Sequence, residues 1–264
     1  MGHQRLGRIA KSRKWKAVVD GVMGGAGAFA SEADVGRIAT LTLDAAGPAL
    51  ERGKGDPGLR YTFFLLTQIA LAAREPDWRQ RLSSVGISLS ADASLFDLTT
   101  GLHATIDGYV QSRGVPSDIS EMAQQAAGEA LSSLAKDDAT TLFGSGGEHL
   151  QRAVRGLSTK AGFARLGQVF FGQFLTRFLN FYLSRVTADA VGSKRVPSIS
   201  EVSRFNDALE LHCEQSARIV RDFCGQWYSS TEYLKGITPE NSGGFAAHAL
   251  QKLADELGQQ RLGL

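Results

Sequence analysis

The residue types able to carry out chemistry are few and loosely spaced. His103 and Asp107 stand four apart, a spacing that puts both on one face of a helix and lets a carboxylate orient an imidazole. No nucleophile accompanies them, and Gly-x-Ser-x-Gly is absent, so the pair reads as an exposed helix contact rather than part of a triad. His212, Cys213 and Cys224 are the soft-ligand candidates. Structural zinc takes paired ligands about two to four residues apart and four donors in all. One histidine and two distant thiols fall short, so no metal and no cofactor is expected. The two cysteines, eleven residues apart, read as sharing one helix. There the rise separates them by about 16 Å, well beyond disulfide reach, so both are expected as buried free thiols. Gly144-Ser145-Gly146-Gly147 leads into a helix but lacks the Lys-Ser/Thr of a phosphate loop and follows no strand, so it reads as a turn. Neither His-Glu-x-x-His nor paired Glu-x-x-His occurs, which argues against a metalloprotease and a di-iron bundle.

Charge is the more informative feature. The chain has 264 residues and a formal net charge of +2, yet the signs are segregated. Residues 1–16 hold Arg5, Arg8, Lys11, Arg13, Lys14 and Lys16 with no acid. Residues 149–188 hold Arg152, Arg155, Lys160, Arg165, Arg177 and Arg185, again with no Asp or Glu. Such separation builds local potential even when the total is near zero. Arg5, Arg8, Lys11, Arg13, Lys14, Lys16, Arg152, Arg155, Lys160 and Arg165 are therefore the expected anion-binding set, provided folding gathers them into one patch. The sequence pI near 8.6 lies below the range of a dedicated nucleic-acid domain.

The elements that must position these residues are helical. Apolar residues recur at spacings of three and four, and no stretch alternates with period two. The expected class is all-α: a multi-helix bundle of about eight or nine helices preceded by a basic N-terminal arm. A first helix is expected over 32–46, broken at Gly47-Pro48. Asp56-Pro57 starts the next, and Glu75-Pro76 stops it. Helices follow over 90–111, from Pro116-Ser117, and over 148–157. The strongest spans 159–187, with Phe163, Phe170, Phe174, Phe178 and Tyr182 on a broad apolar face and a narrow polar stripe of Arg165, Gln168, Thr176, Asn180, Ser184 and Thr187. Ser198-Ile199-Ser200-Glu201 reads as a capping box, and a last helix carries Phe245, Ala249, Leu253 and Leu257. Residues 1–30 form the arm and a glycine-rich segment, and 31–264 form one helical domain with a soft boundary near 137–147.

Export is not expected, because Asp20 and four glycines interrupt the only candidate signal core, and no apolar run reaches the length of a bilayer span. A cytoplasmic protein is the expectation. The leading functional expectation is a non-enzymatic binding or complex-subunit protein that engages an anionic partner, a nucleic acid or an acidic protein surface, through segments 1–16 and 149–188. Two alternatives stand beside it. One is a membrane-acting effector that exposes helix 159–187 to an anionic lipid surface. The other is an enzyme with a His-centred pocket, and the sequence decides neither for nor against catalysis.

Overall fold

The computed structural model describes residues 12–24, 29–135 and 147–259. All of its regular elements are α-helices, eleven among the described residues. The first is α1, Arg13–Met23, in the stretch expected to be an arm. Ser12 caps it by accepting from Trp15 N, and Trp15, Val18 and Val22 are buried. Glycines lower helix propensity here, but an apolar face docked on the rest of the protein outweighs propensity. Arg13, Lys14 and Lys16 are thus helical residues on a packed element, exposed on its outer side. Arg5, Arg8 and Lys11 lie outside the described residues, as does most of the soft boundary at 137–147.

Helix α2, Glu32–Gly53, runs through Pro48 where a break was expected. A proline inside a helix leaves the carbonyl four residues back without its donor. That carbonyl is Asp44 O, and Lys14 Nζ of α1 donates to it at 3.1 Å. The tertiary contact replaces the missing bond, and the helix continues. α3, Pro57–Ala72, starts as expected, with Asp56 as N-cap and Pro57 at the first position. A short α4, Trp78–Ser84, was not legible in the sequence and is held by buried Trp78 and Leu82. α5, Leu95–Ser112, begins at a capping box formed by Ser94 and Asp97, and α6, Asp118–Ala135, lies beside it.

α7, Gly147–Gly156, leads into α8, Lys160–Ala190, the longest helix at 31 residues. α8 packs on α6, α9 (Ile199–Ser216) and α10 (Arg218–Lys235), while α11 (Pro239–Gln259) packs on α3. The expected polar stripe of α8 is largely covered: Gln168, Thr176 and Thr187 are buried. Burial is tolerable because Thr176 and Thr187 donate to the carbonyls of Gly172 and Leu183 in their own helix. The single helix expected to carry both cysteines divides at Ala217. The apolar period carries across the break, which hides it from a reading of periodicity. Cys213 and Cys224 therefore sit on two helices. Both are free and wholly buried, and burial pushes the Cys213 thiol up to about 12. The expected capping box at Ser198 is not formed; its hydroxyl pairs with that of Ser200 at 2.7 Å instead.

The α8–α10 seam is close because small residues line it. A Cβ on Gly167 would stand 2.5 Å from Cys224 Sγ, and one on Gly225 would overlap the Lys160 carbonyl oxygen. Backbone cannot swing aside as a side chain can. Gly225→Ala is expected to destabilise the protein by about 1–3 kcal/mol and to lower the melting temperature measured by circular dichroism by several degrees. An unchanged melt would show that the seam has slack.

Candidate functional site

Arg13, Lys14 and Lys16 of the first acid-free segment lie apart from Arg152, Arg155, Lys160 and Arg165 of the second. Trp15 of α1 packs on Tyr182, with ring centroids 5.1 Å apart, which places α1 toward the C-terminal half of α8. Lys160 and Arg165 belong to the first turns of α8, and Arg152 and Arg155 are exposed on the preceding α7. Seventeen residues of helix separate Arg165 from Tyr182, a length of about 25 Å. Among the described residues, folding does not gather Arg13, Lys14 and Lys16 with Arg152, Arg155, Lys160 and Arg165 into one patch. The segments are also partly engaged. Arg177 forms an ion pair with Glu129, and Lys160 Nζ donates to Gln226 Oε1 at 2.6 Å.

What the fold brings together instead is a different set of cations. A groove of about 680 Å³ opens where the end of α6 meets α8, α9 and α10. Arg165 contributes from α8, and Arg218 and Arg221 from the first turn of α10. Position i,i+3 places Arg218 and Arg221 on one face. All three are exposed, and none makes an ion pair with a carboxylate among the described residues. Ser133, Gln168 and Gln173 add hydrogen-bonding groups to the walls. Glu210 and Glu214 of α9 also line it. Gln173 Nε2 donates to Glu210 Oε1 at 2.7 Å, and Gln168 Nε2 donates to the Glu214 carbonyl at 3.3 Å. Three guanidinium groups against two carboxylates leave the groove cationic. Arg218 and Arg221 were missed because acids surround them in sequence; their i,i+3 spacing was the available signal.

The histidines separate in role. His103 is clasped between α5 and α6: its Nε2 lies 3.1 Å from the Gln124 carbonyl oxygen, and Gln124 Nε2 donates to both the His103 carbonyl and Asp107 Oδ1 at 2.8 Å. Gln124 thus bridges the pair expected to bond directly, and neither residue lines a described cavity. His212 does line one. A cavity of about 740 Å³ lies between α2 and α9, with Glu32, Gly36, Thr40, His212 and Gln215 on its walls. Burial lowers the imidazole's pKa below its ordinary value, with Glu32 opposing the shift.

A third charged cluster is structural. Arg195, its side chain 7% exposed, places Nη2 2.6 Å from Asp34 Oδ2. Its Nη1 donates to the carbonyls of Gly21 and Val22, the latter at 3.0 Å. Arg37 Nη2 donates to Asp34 Oδ1 at 2.8 Å. Burial works against the charged form of Asp34, but the hydrogen bonds from Arg37 and Arg195 outweigh it and hold the carboxyl below its usual range. Among the described residues no group of three His, Cys, Asp or Glu side chains is placed to hold a metal ion, and no helix is long and apolar enough to cross a membrane. Comparison with known proteins finds no family model, no curated protein and no solved structure that matches the chain.

Proposed function

We propose that the protein is a non-enzymatic binding or complex-subunit protein whose groove between α8, α9 and α10 engages an acidic segment of a partner protein. The observation that carries this reading is the convergence of Arg165, Arg218 and Arg221 without carboxylate partners among the described residues. Unpaired guanidinium groups beside amide and hydroxyl side chains suit carboxylates, which they bind through paired N–H donors. A nucleic acid suits the groove less well. Its backbone needs a continuous run of cations, whereas Glu210 and Glu214 interrupt this one. The membrane alternative requires the aromatic face of α8 to be released, and Phe174 and Phe178 are both buried in the core.

The test is fluorescence anisotropy over a salt series with three probes: a ten-residue Glu/Asp peptide, a single-stranded oligonucleotide and a duplex. The acidic peptide is expected to bind at low salt, with affinity falling at least tenfold in R165E/R221E. Both positions are exposed, so the doubly substituted protein should fold. Absence of peptide binding at low salt, or equal binding by the substituted protein, would remove the proposal. Oligonucleotide binding that is stronger than peptide binding and falls steeply with salt would transfer the role to nucleic acid.

A further inference from the structure

Two of the five tyrosines meet face to face. Tyr61, early in α3, and Tyr109, near the end of α5, have ring centroids 3.8 Å apart and planes within 10° of parallel. The Arg113 guanidinium lies over the Tyr109 ring, 4.5 Å from its centroid, and so caps the face turned away from Tyr61. The Tyr61 hydroxyl donates to the Val85 carbonyl at 3.4 Å. Contacts on both sides thus fix the pair, yet each ring is only half-buried. Among the described residues no other tyrosine ring touches a tyrosine ring: Tyr182 packs on Trp15, Phe178 and Phe181, Tyr228 packs on Phe163, and Tyr233 is 88% exposed. Neither Tyr61 nor Tyr109 lines the arginine groove, so the pair is independent of the proposed binding role.

In a close parallel stack of two phenols, an ortho carbon of one ring lies over or beside an ortho carbon of the other, whichever way the rings are turned. That is the contact through which two phenoxyl radicals couple, and holding it ready turns a bimolecular step into an intramolecular one. Burial and the neighbouring Tyr109 raise the pKa of Tyr61, with Arg113 opposing. The phenol is therefore protonated at neutral pH, and its electron must leave together with a proton, for which the exposed part of the stack gives a path to water. The protein's own thiols do not drain such a radical, because Cys213 and Cys224 are wholly buried and burial keeps both protonated. We infer that Tyr61 and Tyr109 form an oxidative crosslinking site, coupled by hydrogen peroxide acting through a peroxidase haem into a dityrosine that ties α3 to α5. Each phenol gives up one electron and one proton. The two radicals form one carbon–carbon bond between ortho carbons, and the two ring hydrogens at that bond move as protons to the phenolic oxygens, which restores both aromatic rings. The peroxide takes up the two electrons and two protons and leaves as two molecules of water. The new bond joins positions 61 and 109, 48 apart in the chain, and so restricts the unfolded state.

The experiment treats the full chain, at low concentration, with a haem peroxidase and hydrogen peroxide. Dityrosine emission is then read in the monomer band of a denaturing gel, and the linked peptides are identified by mass spectrometry. The native protein should show emission in the monomer, a mass lower by two hydrogens, and a linked peptide pair carrying Tyr61 and Tyr109. Y61F and Y109F each keep the stacked ring and should leave the thermal melt nearly unchanged, while monomer emission falls about tenfold or more. Y233F should reduce only the emission of crosslinked dimers, since that ring is exposed and unstacked. No monomer emission under conditions that couple free tyrosine would overturn the assignment. Equal emission from Y109F, or a linked pair other than Tyr61 with Tyr109, would do the same.

Discussion

Replacing Arg195 by alanine is expected to destabilise the protein by about 3–5 kcal/mol, because it leaves a buried carboxylate without its principal partner. Asp34 is nearly buried and receives two guanidinium groups. The Arg195 side chain also donates to the last carbonyls of α1 and lies over the Phe29 ring, 5.5 Å from its centroid. One residue thus ties the end of α1, the start of α2 and the segment before α9. In a chain of this size the loss corresponds to a fall of roughly 10 °C in melting temperature. The double change D34N/R195M, which removes both charges, should be milder than R195A alone. The pH dependence gives a second reading. The guanidinium groups of Arg37 and Arg195 hold the Asp34 carboxyl below its ordinary range, so its contribution is present above the ordinary carboxylate pKa and is lost as pH falls through the folded one. The stability gap between wild type and R195A, measured by urea denaturation, should therefore narrow below about pH 4. A gap that is small at pH 7, or independent of pH, would mean that the ion pair contributes little.

The second large effect is expected at Phe63. Its ring is fully buried and lies 5.3–6.0 Å, centroid to centroid, from Phe163, Phe170, Phe171, Trp227 and Phe245. These partners come from α8, α10 and α11, so Phe63 of α3 joins four helices. Truncation to alanine removes the ring's transfer energy and opens a cavity that a rigid aromatic surround cannot close. The expected loss is about 3–5 kcal/mol, again roughly 10 °C in melting temperature. Phe63→Leu keeps most of the volume and should lose less than half as much. Equal losses for the two substitutions would show that ring–ring geometry rather than volume carries the effect.

Some of this was legible in advance. Asp56-Pro57 announced the start of α3, because an acceptor before a fixed-φ residue satisfies donors within the same turn. The aromatic run of 163–182 announced a helix buried on several sides. Other elements were hidden. α1 looked like a tail because a basic run leads into it and a glycine-rich stretch follows, and only docking of Trp15, Val18 and Val22 reveals it. α2 looked broken at Pro48, and the repair comes from a lysine thirty residues away in sequence. The candidate sites were less visible still. Arg165 was picked out by the absence of acids around it, whereas Arg218 and Arg221 were masked by neighbouring acids, two of which, Glu210 and Glu214, line the same groove. His212 was recognised, but its cavity was not, since a cavity belongs to two helices at once.

The chain's own order of residues determined that it would be all-helical, where most of its helices begin, and that α8 would be central. Capping and apolar periodicity act within one or two turns, so neighbours along the chain are sufficient to express them. Which cations share a groove and which two tyrosine rings stack were decided only by tertiary structure. Those outcomes depend on the register in which helices meet. Here register is set by close contacts such as Gly167 against Cys224 and Gly225 against Lys160, between residues more than fifty positions apart, and a one-turn slip would put different side chains face to face.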